Sequence, residues 1–296
     1  MLLFLIIGFC SQAQSKFSKY LEPSDSLNIN KRNTVVITEA SLAILNIIGL
    51  NELWYKDYPK SNFHTIKDGK EWMQMDKVGH AFSSYQLGRF GAEVLAWSGV
   101  KKKDQLLYGA TIGFGFLTAV EVLDGFSEEW GFSWSDMAAN AAGTSLYIGQ
   151  ELLWEEQRIL FKYSFHRTKY APKRSDKLGN GLLEEALKDY NGQTYWLSAN
   201  LKSFFKNSKI PNWLNVAIGY GADGMLTGEN EPLNEMYPNQ SRIRQFYLSF
   251  DVDLTKIRTN SHFLKTIFSV FNAIKVPFPA VEFTDKNGIK LHAITF

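Results

Sequence analysis

Cysteine is nearly missing from this chain: Cys10 is the single one in 296 residues. That excludes an internal disulfide framework and any cysteine-based zinc site. An excess of charge is missing too, since 32 basic and 30 acidic side chains leave a net charge of +2. With no basic patch interleaved with aromatics, no nucleic-acid partner is expected. A nucleotide is not expected either. Gly219-x-Gly221-x-x-Gly224 copies the spacing of a dinucleotide fingerprint, but no βαβ pattern surrounds it, a polar loop follows, and there is no P-loop. Gly-x-Ser-x-Gly and His-Glu-x-x-His are also lacking. Long hydrophobic runs are scarce. Gln105 to Val120 and Met137 to Gln150 are uncharged, yet both fall short of the roughly 18 residues of a membrane span. The mean hydropathy of −0.19 is low for a chain with four spans.

What is present begins with a leader. Leu2 to Phe9 is apolar, and Cys10-Ser11-Gln12-Ala13-Gln14 follows it. Ser11 and Ala13 supply the small-x-small pattern of a signal-peptidase site, so residues 1–13 are expected to be a signal peptide cleaved after Ala13. The competing reading makes Cys10 a lipidated N-terminus, against which stands the bulky Phe9 before it. Either way the chain is expected to be exported, to the periplasm or outer membrane of a Gram-negative bacterium. Aromatic residues make up 15% of the chain, which suits a membrane-facing or heavily packed protein.

Beyond a polar lead-in, four helical segments are expected: Val35 to Tyr55, Asp76 to Ser98, Gln105 to Leu123 and Ser135 to Arg158. The composition then changes, and alternating segments follow at Tyr195–Leu201, Leu214–Gly221, Gln245–Leu254, Ala280–Phe283 and Ile289–Phe296. His262 to Lys275 has helical apolar spacing. The expected fold class is α+β, with an N-terminal bundle of about four apolar helices followed by a small antiparallel β region with one helix. The expected divisions are 34–158 for the helical bundle, 159–192 for a linker and 193–296 for the β-rich region. Ending on Phe296 in a strand-like stretch resembles outer-membrane barrel chains, but five strands cannot close a barrel that spans a bilayer. The bundle is expected to pack at or partly in a membrane, with four full spans as the alternative.

The candidate site residues lie in the helical half. Asp76 and His80 in Asp76-Lys77-Val78-Gly79-His80 are four apart and share a helix face, with Asp76 placed to favour the helix N-terminus. Glu121 emerges at the end of an apolar segment and is costly there without a partner. Ser133 or Ser135 can cap the fourth helix, Asp136 sits in its first turn, and Asn140 follows on the same face with Gly143 beyond. A buried amide without a partner costs on the order of 1–3 kcal/mol. His80, Glu121, Asp136 and Asn140 are therefore the natural partners of one another. Gly109, Gly113 and Gly115 line the third helix as small residues that admit a close neighbour.

Asp-Lys-x-x-His at 76–80, Glu121, Ser-x-x-Asp at 133–136 and Asn-x-x-Gly at 140–143 resemble the pattern of the VanZ-like membrane proteins. More closely, residues 35–155 resemble the periplasmic lipoproteins grouped as domain of unknown function 2279. The resemblance implies an envelope location and a four-helix core, and no settled reaction.

Two functions follow from the same cluster. In the first, it holds the bundle of a non-enzymatic envelope protein together, with membrane lipid or an envelope protein as partner. In the second, the chain is a lipid- or cell-wall-directed hydrolase or transferase. There His80 acts as base, Asp76 shares its face, Glu121 and Asp136 orient it or hold a divalent ion, and Asn140 positions substrate. No cofactor is indicated by the sequence, and the metal question is open.

Overall fold

The computed structural model describes residues 20–56, 58–228 and 241–295. The leader, with Cys10 and the expected cleavage after Ala13, lies outside them, as does Phe296. Helix α1 (Ile29–Leu50) is capped by Asn28, whose side chain accepts from Lys31 N, and continues into a π-helical stretch at Asn51–Tyr55. Strand β1 (Thr65–Ile66) follows, then α2 (Met75–Trp97). A helical turn at Lys102–Asp104 and a π-helical turn at Gln105–Gly109 lead into α3 (Ile112–Asp124). Strand β2 (Phe132–Ser133) and α4 (Trp134–Trp154) complete the helical half.

The second half is a six-stranded antiparallel sheet in chain order, interrupted by short helical segments of which two are the longer. Its members are β3 (Ile159–Phe165), α5 (Leu182–Lys188), β4 (Gln193–Asn200), β5 (Leu214–Asp223), β6 (Ile243–Val252), α6 (His262–Phe271), β7 (Phe278–Thr284) and β8 (Gly288–Thr295). The outer edge of β3 is covered: Tyr163 N donates to Ala273 O and Lys275 N to Tyr163 O, both at 2.9 Å.

Helix α2 is the axis of the structure. On one side, small residues bring it against its neighbours. A Cβ on Gly143 would lie 2.0 Å from Ala81 O, and one on Gly113 would lie 2.4 Å from Ser84 O, so α4 and α3 approach α2 backbone to backbone. Gly115, expected to share this role, faces open space. On its other side α2 meets the sheet, where Phe82 packs on Phe161, Tyr163 and Tyr195 with ring centroids 5.5–5.7 Å apart.

An N-terminal bundle of four apolar helices therefore does not form, although the chain is α+β as a whole. Among the described residues of α1 only Val35 is buried, so that helix lies outside the packed core. Helix α2 is not apolar: it buries Lys77, Gln86 and Arg89 beside Tyr85 and Leu95. The third segment is broken into a helical turn, a π-helical turn and α3. The physical reason is that α2 buries both of its faces, and the second face is covered by a sheet rather than by a fourth helix. Residues 159–192, expected as a linker, supply a strand of that sheet and α5. The sheet has six strands where five were expected, because β3 pairs along its length with β4, Tyr163 opposite Tyr195.

Candidate functional site

The site is assembled where three helices and one loop meet. Parallel pairing of Thr65 with Phe132 and Ile66 with Ser133 brings the loop carrying Asp68 to the start of α4. Ser133 is the N-cap of α4: its Oγ accepts from Asp136 N at 3.1 Å and donates to Asp68 Oδ1 at 2.6 Å. Ser135 Oγ donates to the same oxygen at 2.8 Å. The Ser133 backbone N–H donates to Glu121 Oε2 at 3.0 Å, which joins the end of α3 to the start of α4.

Helix α2 enters the site from an unusual backbone. Trp72, Met73 and Gln74 all have positive φ, at 47°, 51° and 64°. A left-handed conformation costs an L-residue roughly 1–2 kcal/mol, so three in succession persist only where their surroundings hold them. Tyr220 OH donates to Met73 O at 2.5 Å, Arg244 Nη2 to Gln74 Oε1 at 2.6 Å, and Gln74 Nε2 to Gly69 O at 3.2 Å. The Trp72 ring rests on Tyr190, centroids 5.3 Å apart. The sheet thus fixes where α2 starts, and with it the positions of Asp76, Lys77 and His80.

Lys77 is the centre of the cluster. Its ammonium donates to Asp76 Oδ2 and Asp136 Oδ2, each at 2.8 Å, and to Asp68. His80 lies beside it. Its Nε2 is 3.8 Å from Asp76 Oδ1, 3.8 Å from Glu121 Oε1 and 3.9 Å from Asp136 Oδ1. Its Nδ1 is 3.1 Å from Asn140 Oδ1, a bond in which the ring nitrogen donates. Tyr190 OH donates to Asp76 Oδ1 at 2.7 Å, and Tyr55 OH to Asp124 Oδ1 at 2.6 Å. Ser84, one turn beyond His80, donates to Asn140 O at 2.8 Å.

Five carboxyl groups surround two basic groups, and their protonation reflects that imbalance. Burial raises the Asp68 carboxyl, but hydrogen bonds from Lys77 and Ser133 outweigh it and hold it at about 2. Burial likewise opposes ionisation of Asp76, yet the His80 and Lys77 charges bring it below its ordinary value. For Glu121 burial wins and pushes the group up to about 7. Asp124 rises to about 6 and Asp136 also rises, again chiefly by burial. Burial disfavours charged His80, but Asp76, Asp136 and Glu121 together raise it above its ordinary value. Donor atoms of Asp76, His80 and Asp136 lie within 4.8 Å of one another, a spacing that a cation could bridge. Lys77 Nζ already sits 2.8 Å from two of those three residues, so an ion ligated by all of them would have to displace the ammonium.

All five residues picked out in the sequence, Asp76, His80, Glu121, Asp136 and Asn140, come together here. Sequence reasoning missed Lys77, Asp68 and Tyr190. Lys77 stands inside the motif and was legible as an unassigned charge on an otherwise assigned helix turn. Asp68-Gly69, just ahead of α2, is a weak loop signal. Tyr190 carries no signal, being separated from Asp76 by more than a hundred residues of chain.

Residues 66–149 match the model of a family described as predicted periplasmic lipoprotein, domain of unknown function 2279. No curated protein and no solved structure matches the chain. The matched stretch runs from β1 through most of α4 and contains every residue of the cluster except Tyr55 and Tyr190. The description implies an exported protein of the cell envelope and assigns no reaction.

Proposed function

We propose that this chain is a membrane-associated envelope protein, held at the membrane by α1, in which the polar cluster ties the fold together. The observation that carries the reading is α1 itself: 22 residues that hold an 18-residue stretch apolar enough to cross a membrane and lie outside the core. At 1.5 Å per residue that stretch extends about 27 Å, close to the roughly 30 Å of a hydrocarbon layer. Ile37, Ile44, Leu45 and Ile48 are exposed on it, an arrangement that is costly in water. The segment Lys102–Asp124 is also long and apolar enough to cross a membrane. Its packing on α2 and its ends at Lys102 and Asp124 favour a place within the folded core. The cluster supports a structural role because Lys77 joins Asp68, Asp76 and Asp136 from three separate segments. Fractionation of the native envelope tests the proposal. The wild-type chain is expected with membranes after a high-salt wash, and Ile37→Asp with Leu45→Asp is expected to release it. Recovery of the wild type in the soluble fraction overturns the reading.

A second reading has its own support. His80 and Asp76 keep 18% and 23% of their side-chain surface exposed, so the cluster is open on that side, and Glu121 is held near neutrality beside the imidazole. A lipid- or cell-wall-directed hydrolase or transferase would use His80 as base and Glu121 as its proton partner. Asp136 and Asp76 would orient the ring or hold a divalent ion, and Asn140 would position substrate. His80→Gln separates the two readings. A folded variant of unchanged melting temperature that fails to restore a deletion strain favours the reaction, and full restoration removes it.

A further inference from the structure

The six-stranded sheet turns its apolar face to α2 at β3 and β4, where Phe161, Tyr163 and Tyr195 pack on Phe82, and leaves the rest of that face uncovered. An uncovered sheet face is ordinarily polar. Here the polar groups lie on the opposite face, where Lys162, Asn200, Asn215 and Asp251 are all essentially inaccessible beside Trp196 and Tyr247, with Lys162 Nζ 2.8 Å from Asp251 Oδ2. The uncovered residues of the apolar face are aliphatic and aromatic. Leu197 stands opposite Ile218, Ile218 opposite Leu248, Leu248 opposite Val281 and Val281 opposite Leu291. A second row runs Phe246, Phe283, Ile289 across the same strands, and Phe250 lies beyond Leu248. Ile218 and Leu291 are 57% and 77% exposed, so this belt of direct cross-strand neighbours is not covered by the helical half.

At one end the belt is bordered by aromatics and cations around a hollow. The β4–β5 connection and the segment after β6 lie at the same end of the sheet, since Leu214 pairs with Val252. They carry Lys202, Lys209, Lys256 and Arg258 with Trp213 around a hollow of about 450 Å³. Phe204 and Phe205 are exposed on the same connection. A charge-free apolar surface bordered by aromatics and cations is the sequence of environments met on passing from acyl chains through the interface to anionic headgroups. A protein partner would explain the belt but not this ordering.

We infer that the uncovered part of the apolar face, on β5–β8, lies on a lipid bilayer, with the belt against acyl chains and the Lys202–Arg258 end at anionic headgroups. The inference rests on the membrane-associated reading above and adds a second, independent contact to it. Among the described residues no strand pairs with the outer edge of β8, which favours a sheet lying on the bilayer over one crossing it.

The test uses the full-length chain with Cys10→Ser and Leu248→Cys, an environment-sensitive dye on the new thiol, and vesicles of phosphatidylcholine with or without phosphatidylglycerol. Dye emission is expected to shift to the blue on binding and to be quenched by acyl-chain quenchers. Ile218→Asp with Leu291→Asp is expected to weaken partitioning at least roughly tenfold, from the loss of two apolar contacts. Lys209→Glu is expected to weaken binding about fivefold or more, in phosphatidylglycerol vesicles only. Circular dichroism melts confirm folding, since these positions are on the surface. If vesicles bind but the dye stays in water, and only Ile37→Asp with Leu45→Asp releases the chain, the sheet contact is wrong and the α1 reading stands. If nothing binds, both fall. Concentration-dependent dimers abolished by Leu291→Asp, with no lipid-induced shift, would make the belt a self-interface and overturn the inference.

Discussion

Lys77 and Asp136 are joined at 2.8 Å across the interface between α2 and α4, the ammonium of one helix against the first-turn carboxylate of the other. Both are nearly inaccessible to water. The same ammonium also holds Asp68 and Asp76, so one cation ties α2 to α4 and to the loop ahead of α2.

Replacing Lys77 by Met is expected to destabilise the fold by about 3–5 kcal/mol, because three carboxylates are left without their cation in a poorly hydrated site. Urea unfolding followed by circular dichroism measures the loss. A change under about 1 kcal/mol would mean that the acids pick up protons or water at little cost.

Stability is expected to fall as pH rises through the neutral range. Glu121 binds its proton more tightly folded than unfolded, with a folded value of about 7 against an ordinary 4.5. Its contribution is therefore present at low pH and lost between those two values. His80, also raised, adds stability that is full below its ordinary value of 6.5 and disappears as pH passes through the higher folded value. Glu121→Gln keeps an oxygen for the Ser133 N–H. It is expected to gain on the order of 1 kcal/mol over wild type at pH 8, and nothing at pH 4, a comparison made by urea titration at both pH values.

The left-handed run ahead of α2 can be tested by a pair of substitutions. Gln74→Ala and Gln74→Gly both lose the bonds to Gly69 and Arg244, so their difference isolates the backbone. At a φ of 64° the glycine variant is expected to be the more stable by about 1 kcal/mol. In an ordinary helix the order is reversed.

Gly143→Ala is expected to cost about 1–3 kcal/mol or more, as its Cβ meets Ala81 O, a backbone atom that cannot yield without moving α2. Gly115→Ala, in open space on α3, is expected to be neutral or slightly stabilising by thermal melt.

Much of the site was legible because it depends on local geometry. Asp76 with His80, and Asp136 with Asn140, are placed on common faces by the helix repeat alone. Ser133 and Ser135 both offer themselves as a cap before an apolar run, and the structure uses Ser133. Strand β3 was not legible, since Ile159–Phe165 follows a polar break and mixes Lys162 and Ser164 with aromatics. Those two polar residues are buried only because their face of the sheet is polar.

The amino-acid order by itself determined helix registers, the two candidate caps of α4 and the alternation of the strands, all of which arise between residues a few positions apart. Tertiary structure alone decided that Lys77 pairs with Asp68 and Asp136, that Tyr190 reaches Asp76, and that the apolar side of the sheet is covered by α2 at β3 and β4 and exposed toward β8. A repeat of two marks the two faces of a strand without saying which is covered. That choice, like the choice of partner for a buried charge, is made by the free energy of contacts between segments distant in the chain.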